Sequence, residues 1–184
     1  MFATERLFFA VRPDAETARR IELLAQDLRR RHGLRGKSLG PDRFHVTLHL
    51  IGDFAGGIPP NVLARALDAA RPVAQGAPPF HIGFDTVASF TRKRRNMPLV
   101  LLGEDGVQKV AALQQALLDS LVAAGLAEQP QPRFTPHLTL LYDDQRLVPH
   151  AVDALTWRVE DLLLVRSLLG RGRHEVLARL PLDA

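Results

Sequence analysis

The pattern of apolar and polar positions divides the chain into short strands and three helices. Apolar residues at every second position, or in short unbroken runs, predict strands, which lie at residues 6–11, 44–50, 80–90, 99–102, 137–140, 157–169 and 174–180. Apolar residues spaced by three and four predict helices, which lie at residues 14–33, 60–73 and 107–124. The predicted order is therefore strand-helix-strand-helix-strand-strand-helix-strand-strand-strand.

Local signals set the ends of these elements. Asp14 is positioned to cap the first helix, Gly33 to end it and Gly125 to end the third helix. A basic connection, Thr91-Arg92-Lys93-Arg94-Arg95-Asn96, separates two predicted strands, and the turn Gly170-Arg171-Gly172-Arg173 joins the last two. These connections predict hairpins, and short hairpin-linked strands favour antiparallel sheets and an α+β fold.

One tetrapeptide pattern occurs twice, as His45-Val46-Thr47-Leu48 and His137-Leu138-Thr139-Leu140, 92 residues apart. Each copy lies in a predicted strand that follows a helix, which itself follows a strand. Residues i and i+2 of a strand share a face about 7 Å apart, so each copy presents an imidazole beside a hydroxyl. The repeat predicts an internally duplicated chain with two matched half-sites.

Length and composition narrow the classes of protein. The 184 residues and the hydrophobic fraction of 46% suit one sizeable domain or two small lobes that share a core. The absence of cysteine excludes disulfides, thiolate metal sites and a cysteine nucleophile. No apolar run approaches the roughly 18–20 residues of a membrane span, and the N-terminal residues do not resemble a leader. We expect a soluble cytoplasmic protein.

The charge is carried mostly by arginine, with 21 Arg against 3 Lys and a net charge of +4. Arginine suits bidentate contacts with phosphate, so a nucleic-acid partner is compatible with this composition. A genomic bias toward Arg, Ala and Leu codons explains the same composition equally well. The charge therefore permits an RNA partner without establishing one.

The duplicated motif suggests acid-base chemistry at phosphorus. Two histidines in different protonation states can act as general acid and general base, and the Thr hydroxyls can hold phosphate oxygens between them. His45 and His49 would lie about 13 Å apart on a regular strand, too far to share a metal ion. His49 would then share the face of His45, where a substrate contact or a structural role is open. No metal or cofactor is implied.

The residues also resemble a known family, the 2H phosphoesterases, and within it the RNA 2′,3′-cyclic phosphodiesterases once called 2′-5′ RNA ligases. The resemblance runs over nearly the whole chain, in four segments: residues 6–11, 44–52, 134–140 and 164–167. It implies one domain over residues 1–184 built from two intertwined lobes, each an antiparallel sheet backed by helices, with one motif per lobe facing a central cleft. A monomer is expected, because both half-sites lie in one chain.

The resemblance also implies roles for the motif residues. His137 would be the proton acceptor that activates water, His45 the proton donor to the leaving ribose oxygen, and Thr47 and Thr139 would orient the phosphate. The implied reaction opens an RNA-terminal or nucleoside 2′,3′-cyclic phosphate to the 2′-phosphate, and its reverse joins RNA ends. The two histidines of a pseudo-symmetric site can exchange roles, so the joint involvement of the pair is the firmer prediction.

The sequence departs from the family after the second motif, where Leu141-Tyr142-Asp143-Asp144 stands in place of a segment that often has a basic residue. Candidates to hold the phosphate instead are Arg94 and its neighbours in the basic connection, and Arg171 or Arg173 in the last turn. Solvated turns are the alternative for each. His174 occupies a position where relatives often have tyrosine, which leaves base or ribose stacking there in doubt.

Aromatic residues beside the motifs are further candidates for substrate binding. Phe44 and Phe134 are placed to stack on an RNA base, although aromatic residues next to strands belong more often to the core.

Other functions remain open at this stage. The same four motif residues would serve a phosphodiesterase for 2′-5′-linked oligonucleotides or another small cyclic phosphate. A non-catalytic RNA-binding module would use the same basic cleft without turnover. No Gly-x-Ser-x-Gly or P-loop motif is present, so serine hydrolases and nucleoside triphosphatases are set aside.

Overall fold

The computed structural model describes residues 2–129 and 132–183. Within them, eight strands and three α-helices follow one another as β1 (Glu5–Val11), α1 (Ala15–His32), β2 (Val46–Phe54), α2 (Pro60–Gln75), β3 (Phe80–Ser89), β4 (Met97–Leu102), α3 (Val107–Ala123), β5 (Leu138–Asp143), β6 (His150–Val159), β7 (Asp161–Leu168) and β8 (Arg173–Pro181). A 3₁₀ turn, Pro41–Arg43, precedes the first motif.

The strands form one antiparallel sheet in the order β6-β3-β4-β5-β2-β1-β7-β8. The two motif strands, β5 and β2, lie side by side at its centre, and a single residue pair, Val46 with Leu138, joins them. The sheet thus consists of two four-stranded halves that meet at the motifs. The units β1-α1-β2 and β4-α3-β5 repeat the same order, which confirms the predicted α+β class and its pseudo-symmetric halves.

The alternation along β1 separates the two faces of the sheet. Leu7 and Phe9 belong to the large core that contains the apolar faces of the helices. Phe8 and Ala10 point the other way and form a small separate cluster with Leu163 and Val165 of β7. The face opposite the helices is therefore left free to carry the chemistry of the motifs.

The boundaries of α1 are those that the sequence predicts. The Asp14 carboxylate accepts a hydrogen bond of 2.8 Å from the backbone N–H of Thr17, and Gly33 ends the helix at a φ of 65°. A side-chain acceptor satisfies a free N–H of the first turn, and glycine adopts the left-handed conformation without a Cβ penalty.

The prediction of one strand over residues 157–169 is wrong. The run is broken at Glu160: β6 ends at Val159 and pairs with β3, whereas β7 begins at Asp161 and pairs with β1. The two strands lie in different halves of the sheet. Because both are apolar where they meet, with Val159 and Leu162 fully buried, the sequence pattern runs through the break without a signal.

A second departure from the predicted pattern lies within β2. Ala10 pairs with Thr47 and Phe9 with His49, so Leu48 is an extra residue on the β2 side of the ladder. Such a bulge changes the facing of the residues that follow it, and a second register shift follows at Ile51. His49 lies opposite the core residue Phe9 and is only 9% exposed, yet it still lines the cleft that contains Thr47 and His137.

Candidate active site

The junction between the half-sheets brings the two motifs together. β2 and β5 are antiparallel and pair at Val46 and Leu138. In such a pair, the residue before Val46 stands opposite the residue after Leu138, and the residue after Val46 stands opposite the residue before Leu138. His45 is thus directed toward Thr139, and Thr47 toward His137. The four residues predicted from the motif are arranged around a pseudo-twofold axis.

Both histidines are held in the same way. Nδ1 of His45 lies 2.6 Å from the carbonyl oxygen of Arg43, and Nδ1 of His137 lies 2.8 Å from that of Thr135. A carbonyl oxygen can only accept, so Nδ1 carries the proton and donates it in both rings. Nε2 is consequently the atom that each ring uses to accept or release a proton.

The hydroxyl of Thr47 lies 3.0 Å from Nε2 of His45. This contact joins the imidazole and the hydroxyl of the first motif, which the spacing of two residues on a strand predicts. In the neutral ring Nε2 accepts a hydrogen bond from the hydroxyl, and in the protonated ring it donates one.

An aromatic ring packs against each histidine. Phe8 lies 5.0 Å from the ring centre of His45, and Phe90 lies 4.9 Å from that of His137 in an edge-to-face arrangement. These contacts fix the orientation of both imidazoles. Neither phenylalanine was singled out as a site residue by the sequence, although Phe8 lies in the first segment of the family resemblance.

The environment of His45 disfavours its charged form. Burial is the main cause that lowers the pKa of His45 to about 4, and electrostatic interactions with Arg12, His137 and Arg43 lower it further against the opposing effect of the hydrogen bond to the Arg43 carbonyl. In the free protein at neutral pH, His45 is therefore neutral, and its Nε2 carries a lone pair.

His174 is a third histidine at this site. His174 lies on β8, where it pairs with Ser167 of β7. Its ring centre lies 5.2 Å from that of His45 and 5.5 Å from that of Phe8. Burial, followed by the charges of His45, Arg43 and Arg12, lowers the pKa of His174 to about 3. The family resemblance singled out its position in the sequence, but its contact with His45 depends on the packing of β8 against the rest of the sheet.

A cleft of about 1620 Å³ extends from the motif residues. Thr47 and His137 contribute to its wall together with Arg92 and Lys93 of the predicted basic connection. Residues that the sequence analysis did not assign to substrate binding line it as well: Arg6, Gln114 and Tyr142. Arg6 is held by two hydrogen bonds of 2.6 and 2.8 Å to the carboxylate of Asp53.

Three of the predicted phosphate-binding arginines, Arg94, Arg171 and Arg173, are exposed and do not line this cleft, whereas Arg92 of the same basic connection does. Arg94 lies in the exposed loop and Arg171 in the exposed turn, whereas Arg173 forms an ion pair of 3.3 Å with Glu175. Their role stays a prediction.

The two aromatic residues predicted to bind substrate lie in different environments. Phe134 is partly exposed and lines the cleft, so it is available to a base. Phe44 is fully buried in the core beneath the first motif, and the prediction that it stacks on substrate is wrong. Phe44 directly precedes His45 in the extended segment that leads into β2, so the two side chains point to opposite faces.

Within residues 2–129 and 132–183, no group of three or more His, Cys, Asp or Glu side chains is arranged to hold a metal ion. Across that same part of the chain, the helices are too short or too polar to cross a membrane.

Comparison with known proteins places this arrangement in a family. The model of the 2′-5′ RNA ligase superfamily matches residues 13–171, whereas a search of curated proteins gives no match. The protein TT0787 of Thermus thermophilus is similar in structure, with a TM-score of 0.78, 23% identity and coverage of 97% of this chain and 98% of that chain.

E. coli LigT in its apo form is similar with a TM-score of 0.73 and 23% identity over 100% of both chains. LigT complexed with 3′-AMP gives a TM-score of 0.73 and 23% identity over 98% of this chain and 99% of that chain. The structural matches show a common fold, and the family model spans well over half of the sequence. The chain therefore belongs to the 2′-5′ RNA ligase superfamily.

Proposed function

We propose that this protein hydrolyses RNA-terminal or nucleoside 2′,3′-cyclic phosphates to 2′-phosphomonoesters, without a metal ion, by acid-base catalysis through His45 and His137. The observation that carries the proposal is the matched bonding of the two rings, each of which donates from Nδ1 to a carbonyl two residues earlier. This leaves two Nε2 atoms, one from each half-sheet, for proton transfer around one phosphate.

The reaction requires one bond to form and one to break at phosphorus. Nε2 of His137 accepts a proton from water as its oxygen attacks, and the bond from phosphorus to the ribose 3′ oxygen breaks. Nε2 of His45 donates a proton to that oxygen, which gives a free 3′ hydroxyl and a 2′-phosphate. Thr47 and Thr139 donate hydrogen bonds to the non-bridging oxygens.

The charge on the substrate supports this assignment of the donor. His45 is neutral in the free protein because its pKa is lowered to about 4, and a donor must be protonated. A bound phosphate diester is an anion, and an opposite charge within a few ångströms raises the pKa of an imidazole. Substrate binding would therefore bring the proton to His45 at the step that needs it.

The same low pKa favours the exchanged assignment as a second candidate. A neutral His45 is suited to accept the proton of water, in which case His137 donates to the ribose oxygen. The two assignments give the same form of pH-rate profile, because each requires one protonated and one neutral histidine. They differ in how each variant responds to a leaving group that needs no proton.

A substrate with sulfur in place of the 3′ oxygen separates the two assignments, because a thiolate leaves without protonation. Replacing the donor with alanine should then change the rate of cleavage of the sulfur substrate only slightly. Replacing the acceptor should still lower that rate by at least about 100-fold. The proposal expects His45→Ala to be rescued and His137→Ala not to be. Rescue of His137→Ala alone would establish the exchanged roles.

The reaction itself is tested with a short RNA that ends in a 2′,3′-cyclic phosphate, in the presence of EDTA. We expect the 2′-phosphate product from the wild type and from a surface control, His81→Ala, and none from His45→Ala or His137→Ala. Binding of this RNA without turnover would indicate a non-catalytic RNA-binding module. Cleavage of a 2′-5′-linked oligonucleotide in its place would indicate the alternative phosphodiesterase.

The nature of the ligands bound by a relative adds support. LigT has been crystallised with 3′-AMP, with phosphate and with NADP⁺, and each of these carries a phosphate group. We therefore expect RNA ends or nucleotides as the partners of this chain. We further expect it to act as a monomer in the cytoplasm.

A further inference from the structure

Arg43 is a partly buried cation without a counter-ion. Its Nε is fully buried and has no hydrogen-bond partner, and its guanidinium forms no ion pair with any of the residues that the structure describes. A buried charge that lacks a partner lowers the stability of the folded protein. An arrangement of this kind is expected where a bound ligand supplies the missing partner.

A rigid turn holds Arg43 beside the first motif. Arg12 donates hydrogen bonds to the carbonyl oxygens of Pro41 at 3.3 Å, of Phe44 at 3.4 Å and of Asp42. The carbonyl of Arg43 itself accepts the Nδ1 proton of His45. The backbone that orients the His45 ring is therefore the backbone from which the Arg43 side chain extends.

The Arg43 guanidinium also reaches the last turn of the chain. A Cβ atom built on Gly172 would lie 3.6 Å from its Nη1, so the guanidinium packs against the β7–β8 turn. Its charge is close enough to both His45 and His174 to lower the pKa of each. Arg43 thus lies between the first motif and the turn that leads to His174.

Other arginines near this turn already have carboxylate partners. Arg173 and Arg166 pair with Glu175, and Arg179 pairs with Asp161 at 2.6 Å. Arg43 differs from them in having no such partner among the described residues. Its positive charge is available to an anion that enters beside His45.

We propose that Arg43 binds the non-bridging oxygens of the substrate phosphate. It would thereby take the place of the basic residue that is missing after the second motif, where Leu141-Tyr142-Asp143-Asp144 stands. This inference deepens the proposed function and rests on it. A guanidinium offers two parallel donors that match two phosphate oxygens. Arg43 would be a substrate-binding residue, and it would bring the phosphate to the histidine whose backbone support it shares.

The test compares equilibrium binding in three variants. Titration calorimetry with inorganic phosphate and with adenosine 2′-phosphate measures Kd for the wild type, Arg43→Ala and Arg43→Lys. Arg20→Ala, an exposed change on α1 with the same loss of charge, is the matched control. We expect Arg43→Ala to weaken binding by about 10- to 100-fold, Arg43→Lys to lie between, and Arg20→Ala to match the wild type.

The outcomes separate this inference from the proposed reaction. Equal phosphate binding by Arg43→Ala and wild type overturns the role of Arg43, even where the wild type hydrolyses cyclic-phosphate RNA. Absence of phosphate binding by the wild type overturns it as well. Arg43-dependent binding without hydrolysis supports the anion site and overturns the proposed reaction. Should Arg43→Ala fail to fold, the Arg43→Lys Kd decides, since it retains the charge and loses the bidentate geometry.

Discussion

The decrease in the free energy of unfolding at acid pH should depend on His174. Burial, together with the charges of His45, Arg43 and Arg12, lowers the pKa of His174 to about 3, whereas a histidine in an unfolded chain titrates near 6.5. Between these values the unfolded chain binds a proton that the folded protein excludes. This contribution to the free energy of unfolding is complete above about pH 6.5 and is lost as the pH falls.

The size of the effect follows from the two pKa values. Each excluded proton lowers the free energy of unfolding by up to about 1.4 kcal/mol per pH unit below 6.5. Because the His174 ring is only partly buried, solvent screening reduces its share to about 1 kcal/mol between pH 7 and pH 5. His45, which is almost fully buried and has a pKa of about 4, removes about 2 kcal/mol over the same range. His174→Phe keeps a ring against Phe8 but binds no proton, so the joint loss should fall from about 3 to about 2 kcal/mol.

Urea unfolding at pH 5, 6 and 7 measures this difference. The fluorescence of Trp157, the single tryptophan and a buried residue of β6, reports the transition. Carboxylates with lowered pKa values also lose stability in acid, but they contribute equally to wild type and variant. An identical pH dependence in the wild type and His174→Phe would refute the conclusion that His174 excludes a proton on folding.

Two further substitutions test the packing and the mechanism. Gly36→Ala should lower the free energy of unfolding by about 1–3 kcal/mol, because the added Cβ would lie 1.9 Å from the carbonyl oxygen of Tyr142. Urea unfolding compares this variant with Gly52→Ala, whose Cβ has no neighbour closer than 3.5 Å. Equal losses of stability in the two variants would contradict the prediction. Thr47→Val should lower kcat/KM for the cyclic-phosphate RNA by about 10- to 100-fold, because it removes the hydroxyl that lies 3.0 Å from Nε2 of His45. An unchanged kcat/KM would exclude this hydroxyl from the mechanism.

Much of the fold follows from local signals in the sequence. The Asp14 cap and Gly33 end of α1, the three helices and most strands were predictable, because capping and alternation depend on residues a few positions apart. The repeated motif also placed a histidine and a threonine on one face, since residues two apart on a strand share a face. These features needed no knowledge of distant contacts.

Other features of the site were decided by tertiary structure alone. The bulge at Leu48 and the break at Glu160 depend on which strands pair, and pairing leaves little trace in the local pattern. His174 reaches His45 from a strand far along the chain, and the side chain of Arg43, two residues before His45, meets the distant turn at Gly172. Sequence therefore determined the chemistry of the two half-sites, whereas the tertiary structure determined their surroundings, because burial and unpaired charge exist only once distant segments are packed together.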